Sequence, residues 1–299
     1  MNGPDMDDAL RLRAVNQIFK IDASLGCESG KDATFTLDFE EKNYRQQALA
    51  GLIRDTVPYF ALTQEEIASL DKSDWNKSSF TRISDAQPTK KGDYGELLLY
   101  IILNIFYDTP KFVTKARLRS STREQIKGFD CAHFSINSDR TITLWLGEAK
   151  FHQTFSGAIA QSFKSLNDHL MDAEKIKSEL RLLSGEIEIN KNILPDEYLL
   201  LKSHTNGSKS LDKVSIQVPV LLTYDSKCIG DFCGTENADI GSDVFQESLI
   251  AELKGKFLSV YERTWPTKNN ITISFYLLPL RSVSELKEML DTIETAMKF

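Results

Sequence analysis

A chain of 299 residues, 41% apolar and 26% charged, has the make-up of a water-facing folded protein with room for one large domain or two small ones. Its net charge of −7 counts against holding nucleic acid unaided, because that binding rests on Lys and Arg meeting phosphates. The apolar run Leu97 to Leu103 stops well short of the roughly 20 residues a bilayer demands, and the start MNGPDMDDAL has neither the basic end nor the apolar stretch of a signal peptide, so no membrane contact and a cytoplasmic location are expected.

Residues 1–85 are expected to form a small α+β extension, placed where a partner would dock. Ala33 to Phe39 alternates as a strand does, with Phe35, Leu37 and Phe39 on one face. Tyr44 to Val57 has helical character, and Pro58 is expected to end it. Thr63 and Glu66 have capping-box spacing before Ile67 and Leu70. The polar stretch Lys72 to Gly92 is expected as a linker to a second domain, 86–299.

That second part alternates helices and strands. GDYGELLLYIILNIFYD is apolar on nearly every side and predicts a buried helix. Phe112 to Leu118 predicts a strand, followed by Phe129 to Ile136 and Thr141 to Phe151 joined by a polar turn. A long amphipathic helix is expected from Ala158 to Leu183, capped by Gly185. Val214 to Tyr224 and Ile271 to Leu280 read as strands, Val244 to Tyr261 and Ser284 to Met297 as helices, the last with a Ser N-cap. Such interleaving predicts a central sheet with helices on both faces.

The chemistry gathers in KGFDCAHFSINSDRTITLWLGEAKFHQ. Side chains two apart in a strand share a face. Asp130 therefore lies with Ala132, Phe134 and Ile136, and Glu148 and Lys150 lie with Ile142, Leu144 and Leu146. The simplest hairpin that puts both apolar rows on one face pairs Ile136 with Ile142 and Phe134 with Leu144, around a three-residue loop. It sets Asp130 opposite Glu148; a shift of two residues would loosen the pair and keep the face. Like charges so placed destabilise a sheet, and burial costs several kcal/mol per ion unless a cation intervenes. Lys150 is one candidate and a divalent metal the other. Mg²⁺ suits two carboxylates and a backbone carbonyl such as that of Ala149. Glu96, in the first turn of the buried helix, is a further candidate carboxylate; the alternative is a favourable interaction with the helix dipole. On charge pattern alone, a partly buried salt-bridge cluster is the better description of the three residues.

Other signals are weaker. Lys111, Lys115, Arg117, Arg119, Arg123 and Lys127 face only Glu124 in their stretch, which suits either a solvated face or contact with phosphates. His133 falls off the Asp130 face and is expected to make a structural hydrogen bond. His152 follows the parity of Lys150, while His169 and His204 have no partners at ligand spacing. Cys27, Cys131, Cys228 and Cys233 show no paired zinc-finger spacing and are expected as reduced thiols. No Walker A motif occurs, so any use of ATP falls to a partner.

The order of a Glu in a helix, a strand, Asp130, a hairpin and Glu148-Ala149-Lys150 resembles the PD-(D/E)XK nuclease superfamily. Asp130 matches its first acid, Glu148 and Lys150 its Glu-x-Lys, and Glu96 falls in its N-terminal helix; Phe129 stands where the superfamily's name has Pro. Gln161 is placed for the Gln that some of these nucleases carry in the following helix. More narrowly, GELLLY, KGFDCAHF and LGEAKFHQ resemble the HamA family, nuclease subunits of Hachiman antiphage defence. The resemblance implies a restriction-endonuclease-like mixed central sheet flanked by helices. It also implies a Mg²⁺- or Mn²⁺-dependent deoxyribonuclease controlled by a superfamily-2 helicase subunit (HamB-like), which would supply most of the affinity for DNA. A catalytically inactive scaffold of the same fold, binding DNA or the helicase, is the alternative.

Overall fold

The computed structural model describes residues 6–21, 32–84, 93–107, 109, 111–114, 129–137, 141–171, 199, 202–203, 214–266 and 270–298. Its centre is a seven-stranded sheet. The strands are β1 (Ile18–Ile21), β2 (Ala33–Leu37), β5 (Lys111–Thr114), β6 (Cys131–Ile136), β7 (Ile142–Phe151), β8 (Ser215–Asp225) and β9 (Ile271–Leu280), in the order β1-β2-β9-β8-β7-β6-β5. β2, β9, β8 and β7 run parallel, and β1, β6 and β5 are antiparallel to their neighbours. The mixed sheet follows from composition: β8 and β9 read SIQVPVLLTYD and ITISFYLLPL, and are buried along most of both faces, as central parallel strands must be.

Helices cover both faces. α5 (Asp93–Tyr107) lies on the face of Ala149 and Phe151: a Cβ placed on Gly95 would stand 3.3 Å from the Cβ of each. Further along α5, Tyr100 tilts against His133 with ring centroids 5.8 Å apart. α6 (Phe155–Leu170) returns across the other face and buries Ala158, Ile159, Leu166 and Leu170. Beside it, α8 (Asp243–Tyr261) leads to Arg263 and Trp265, which meet Phe163 of α6. α9 (Val283–Met297), capped by Ser282, joins the α5 side, where the Tyr94 hydroxyl lies 2.8 Å from Asp291 Oδ1 and 2.9 Å from Glu294 Oε2. α7 (Lys227–Phe232) is a short turn after β8. No helix among the described residues is long and apolar enough to cross a membrane.

The N-terminal region is continuous with this sheet. β1 pairs with β2, and β2 pairs with β9 through Ala33↔Tyr276 and Thr34↔Leu277. All five residues of β2 are buried, because its second face is covered too, so Thr34 and Thr36 sit inside with Phe35 and Leu37. α1 (Asp8–Val15), α2 (Gln46–Ala61), α3 (Gln64–Ser69) and α4 (Lys72–Ser84), with the small pair β3 (Phe39–Glu40) and β4 (Asn43–Tyr44), complete the unit. Its buried apolar residues belong to the same core as those of the sheet.

Three expectations need correction or restriction. Pro58 does not end its helix. α2 runs on to Ala61: the roughly 3 kcal/mol that a proline costs inside a helix is offset by the full burial of Phe60 and Ala61 beyond it. Lys72 to Ser84 is the helix α4 and not a linker; Phe80 and Ile83 anchor it in the core, while 85–92 lie outside the described residues. α6 ends at Leu170 with Met171 as its cap, and its expected continuation through Leu183 to Gly185 lies outside them as well. The Thr63–Glu66 capping box is present on both sides.

Candidate active site

The hairpin of β6 and β7 has the register that parity predicts. Ile136 pairs with Ile142, Phe134 with Leu144, and Cys131 with Gly147; one step further sets Asp130 opposite Glu148. The Asp130 amide donates to the Gly147 carbonyl at 2.9 Å, and there β6 begins. β7 continues to Phe151, held on its other side by β8 through Glu148↔Val220 and Lys150↔Leu222. Ala149 thus turns its backbone toward the side where β6 has stopped. Its amide donates to Asp130 Oδ2 at 2.8 Å. The amide and carbonyl of one strand residue point the same way, so the Ala149 carbonyl faces the Asp130 side too.

Both acids are buried, Glu148 at 1% exposure and Asp130 at 7%. Burial raises the Glu148 carboxyl above its ordinary range, and the neighbouring Asp130 pushes it the same way. Lys150 and Ser165 oppose this without cancelling it. The Lys150 ammonium pairs with Glu148 Oε1. Glu148 Oε2 is buried and has no hydrogen bond of ordinary geometry.

The remaining expected residues are spread around this pair. Glu96 is buried in the first turn of α5, next to Gly95 on Ala149. α5 lies on the sheet face opposite Glu148, and among the described residues no three of His, Cys, Asp and Glu gather to hold a metal ion. Gln161 is exposed on α6. Lys115, Arg117, Arg119, Arg123 and Lys127 lie outside the described residues. His133 sits on the α5 side, fully buried, with Nδ1 3.1 Å from the Thr109 carbonyl. His152 is half-buried, and its amide donates to Thr223 Oγ1. Cys228 and Cys233 are free thiols.

Sequence reasoning missed α6 as a wall of the site. Ser165 reaches Glu148, and the His169 ring tilts over Phe129, the residue before Asp130, at 5.4 Å. The only linear signal is helical spacing: 165 and 169 are one turn apart and share a face.

The donors on hand are hard: two carboxylates and a backbone carbonyl, with an ammonium alongside. Mg²⁺ and Mn²⁺ prefer oxygen donors of this kind, and Glu148 Oε2 is a buried acceptor without a hydrogen bond of ordinary geometry. The residues present therefore fit a divalent ion. A comparison with curated proteins finds no match. The family model described as HamA matches residues 16–293, from before β1 into α9 and across the whole Asp130–Lys150 hairpin. The chain belongs to the HamA family.

Proposed function

We propose that the chain is a metal-dependent deoxyribonuclease, the nuclease subunit of a Hachiman antiphage complex whose cutting is controlled by a superfamily-2 helicase subunit. Membership of the HamA family supports the setting. The observation that carries the chemistry is the pair of buried acids, Asp130 acting on Glu148, beside Lys150. The succession of helix, hairpin and Glu-Ala-Lys supports placing the fold with the PD-(D/E)XK nucleases.

Asp130, Glu148 and the Ala149 carbonyl would hold Mg²⁺ or Mn²⁺. Such an ion supplies an activated water and neutralises charge on the phosphoryl group. The protein's own residues do the positioning. The Ala149 amide fixes Asp130, and Lys150 fixes Glu148 through Oε1. The Lys150 ammonium, held at the edge of the pair, orients or deprotonates the nucleophile or holds the scissile phosphate. Glu96 adds a further carboxylate at the same end of β7. Lys115, Arg117, Arg119, Arg123, Lys127 and Gln161 contact the DNA backbone, and the helicase makes good the deficit left by a net charge of −7.

The Lys150–Glu148 ion pair favours one rival, a purely structural salt bridge. Cleavage of labelled plasmid and linear DNA with Mg²⁺ separates the two, comparing wild type with E148Q, K150A and E96Q, with and without the helicase and ATP. Metal-dependent cutting that E148Q and K150A abolish is the expected result. Identical behaviour of wild type and variants in every condition would sink the nuclease.

A further inference from the structure

α6 crosses the sheet face that carries Glu148 and Lys150. Residues 162, 165 and 169 recur every three or four places and form one stripe along it. Two contacts locate the stripe: Ser165 against Glu148 and His169 against Phe129. α6 starts just after the end of β7 and reaches Glu148 ten residues later, a rise of about 15 Å. It therefore runs back along the strand, and Ser162 lies one turn closer to the Lys150 end, about 5 Å from Ser165.

Ser162 is fully buried and its Oγ has no hydrogen bond. Its neighbours on the buried side of α6 are Ala158, Ile159 and Leu166, so alanine would fill the same space with no polar atom to satisfy. A buried hydroxyl left unpaired destabilises the fold. Glu148 Oε2, a buried acceptor, has no hydrogen bond of ordinary geometry, and Ser165 of the same helix acts on this carboxylate. A buried donor and a buried acceptor on neighbouring parts of one site fit a group that bridges them. Gln161, one position away, faces solvent and does not serve.

We propose that Ser162 is a positioning residue for the divalent ion's water shell: its hydroxyl donates to a water held beside Glu148, while Ser165 keeps the Glu148 carboxylate in place. The inference rests on the metal site put forward above. Partners of this kind are worth roughly 10- to 100-fold in metal affinity, although they never touch the ion.

The test is Mn²⁺ affinity of the whole chain by titration calorimetry, with thermal unfolding in EDTA, for wild type, S162A and E148Q, alongside DNA cleavage. S162A is expected to bind Mn²⁺ about 10-fold more weakly with Tm unchanged or raised, because the unpaired hydroxyl is gone. Wild-type affinity in S162A, or weaker binding accompanied by a drop in Tm, overturns the proposal. Mn²⁺ binding that depends on Glu148 but brings no DNA cleavage would remove the nuclease and leave Ser162 in its role. Wild-type chain that binds no Mn²⁺, or E148Q that binds it equally well, removes the metal site and this inference together.

Discussion

Asp130 Oδ2 accepts a hydrogen bond from the Ala149 amide at 2.8 Å, so the acid that opens β6 is fastened to the middle residue of Glu-Ala-Lys. The bond does two things at once. It satisfies a buried amide that lost its strand partner where β6 begins, and it holds one carboxylate facing another across the hairpin. The two strands could not drift apart here without exposing both.

Replacing Asp130 tests this fastening. D130A leaves the Ala149 amide unpaired at about 1–3 kcal/mol, partly offset by the loss of repulsion with Glu148. D130N retains an acceptor and is expected to unfold close to wild type in urea while losing cleavage. Equal destabilisation by both variants would mean that the bond contributes nothing.

Glu148 makes stability depend on pH in the metal-free protein. Its folded carboxyl takes up a proton more readily than the ordinary value of 4.5 allows, through burial and then through Asp130. The folded state therefore binds more protons than the unfolded state above that value, and stability falls as pH rises through the raised folded value. E148Q removes this component. In EDTA, the Tm of wild type minus that of E148Q should decline with rising pH and then level off; a difference that stays flat or climbs would show that the carboxyl is not raised.

Lys150 offsets the pair from within. K150M leaves the buried Glu148 carboxylate without the ammonium it pairs with. Breaking a fully buried ion pair costs roughly 3–5 kcal/mol. Lys150 retains 17% side-chain exposure, so about 1–3 kcal/mol is expected at neutral pH. Acidification should recover part of that by protonating Glu148. Unfolding curves for wild type and K150M at two pH values read this directly, and a loss that grows at low pH would contradict it.

Gly95 sets how closely α5 approaches the Glu-Ala-Lys strand. An alanine Cβ there would stand 3.3 Å from the Cβ atoms of Ala149 and Phe151, a tight fit that its gain of about 1 kcal/mol in helix propensity offsets. G95A should be near neutral. G95L has nowhere to go and should cost about 1–3 kcal/mol by overpacking, with a fall in cleavage as α5 lifts from Ala149. Chemical denaturation of the two variants distinguishes close packing from open space.

Much of this molecule is legible in its sequence, for local reasons. The alternation of Asp130, Ala132, Phe134 and Ile136 against Ile142, Leu144, Leu146 and Glu148 leaves few registers that bury both rows, and the observed hairpin is the simplest of them. α5 is apolar all round and is buried, and Thr63 with Glu66 needs only its own four residues to cap a helix. What lies beyond is decided by contacts between distant segments. β2 is buried throughout because β1 and β9 flank its edges while Phe106 of α5 meets Phe35 on one face and Tyr44 of β4 meets Thr36 on the other. Pro58 stays inside α2 because Phe60 is held in the core. Ser165 and His169 approach the site, and Gln161 turns away, only because α6 packs back over β7 in one rotation. Periodicity specifies which residues of an element share a face, and tertiary packing chooses what that face meets.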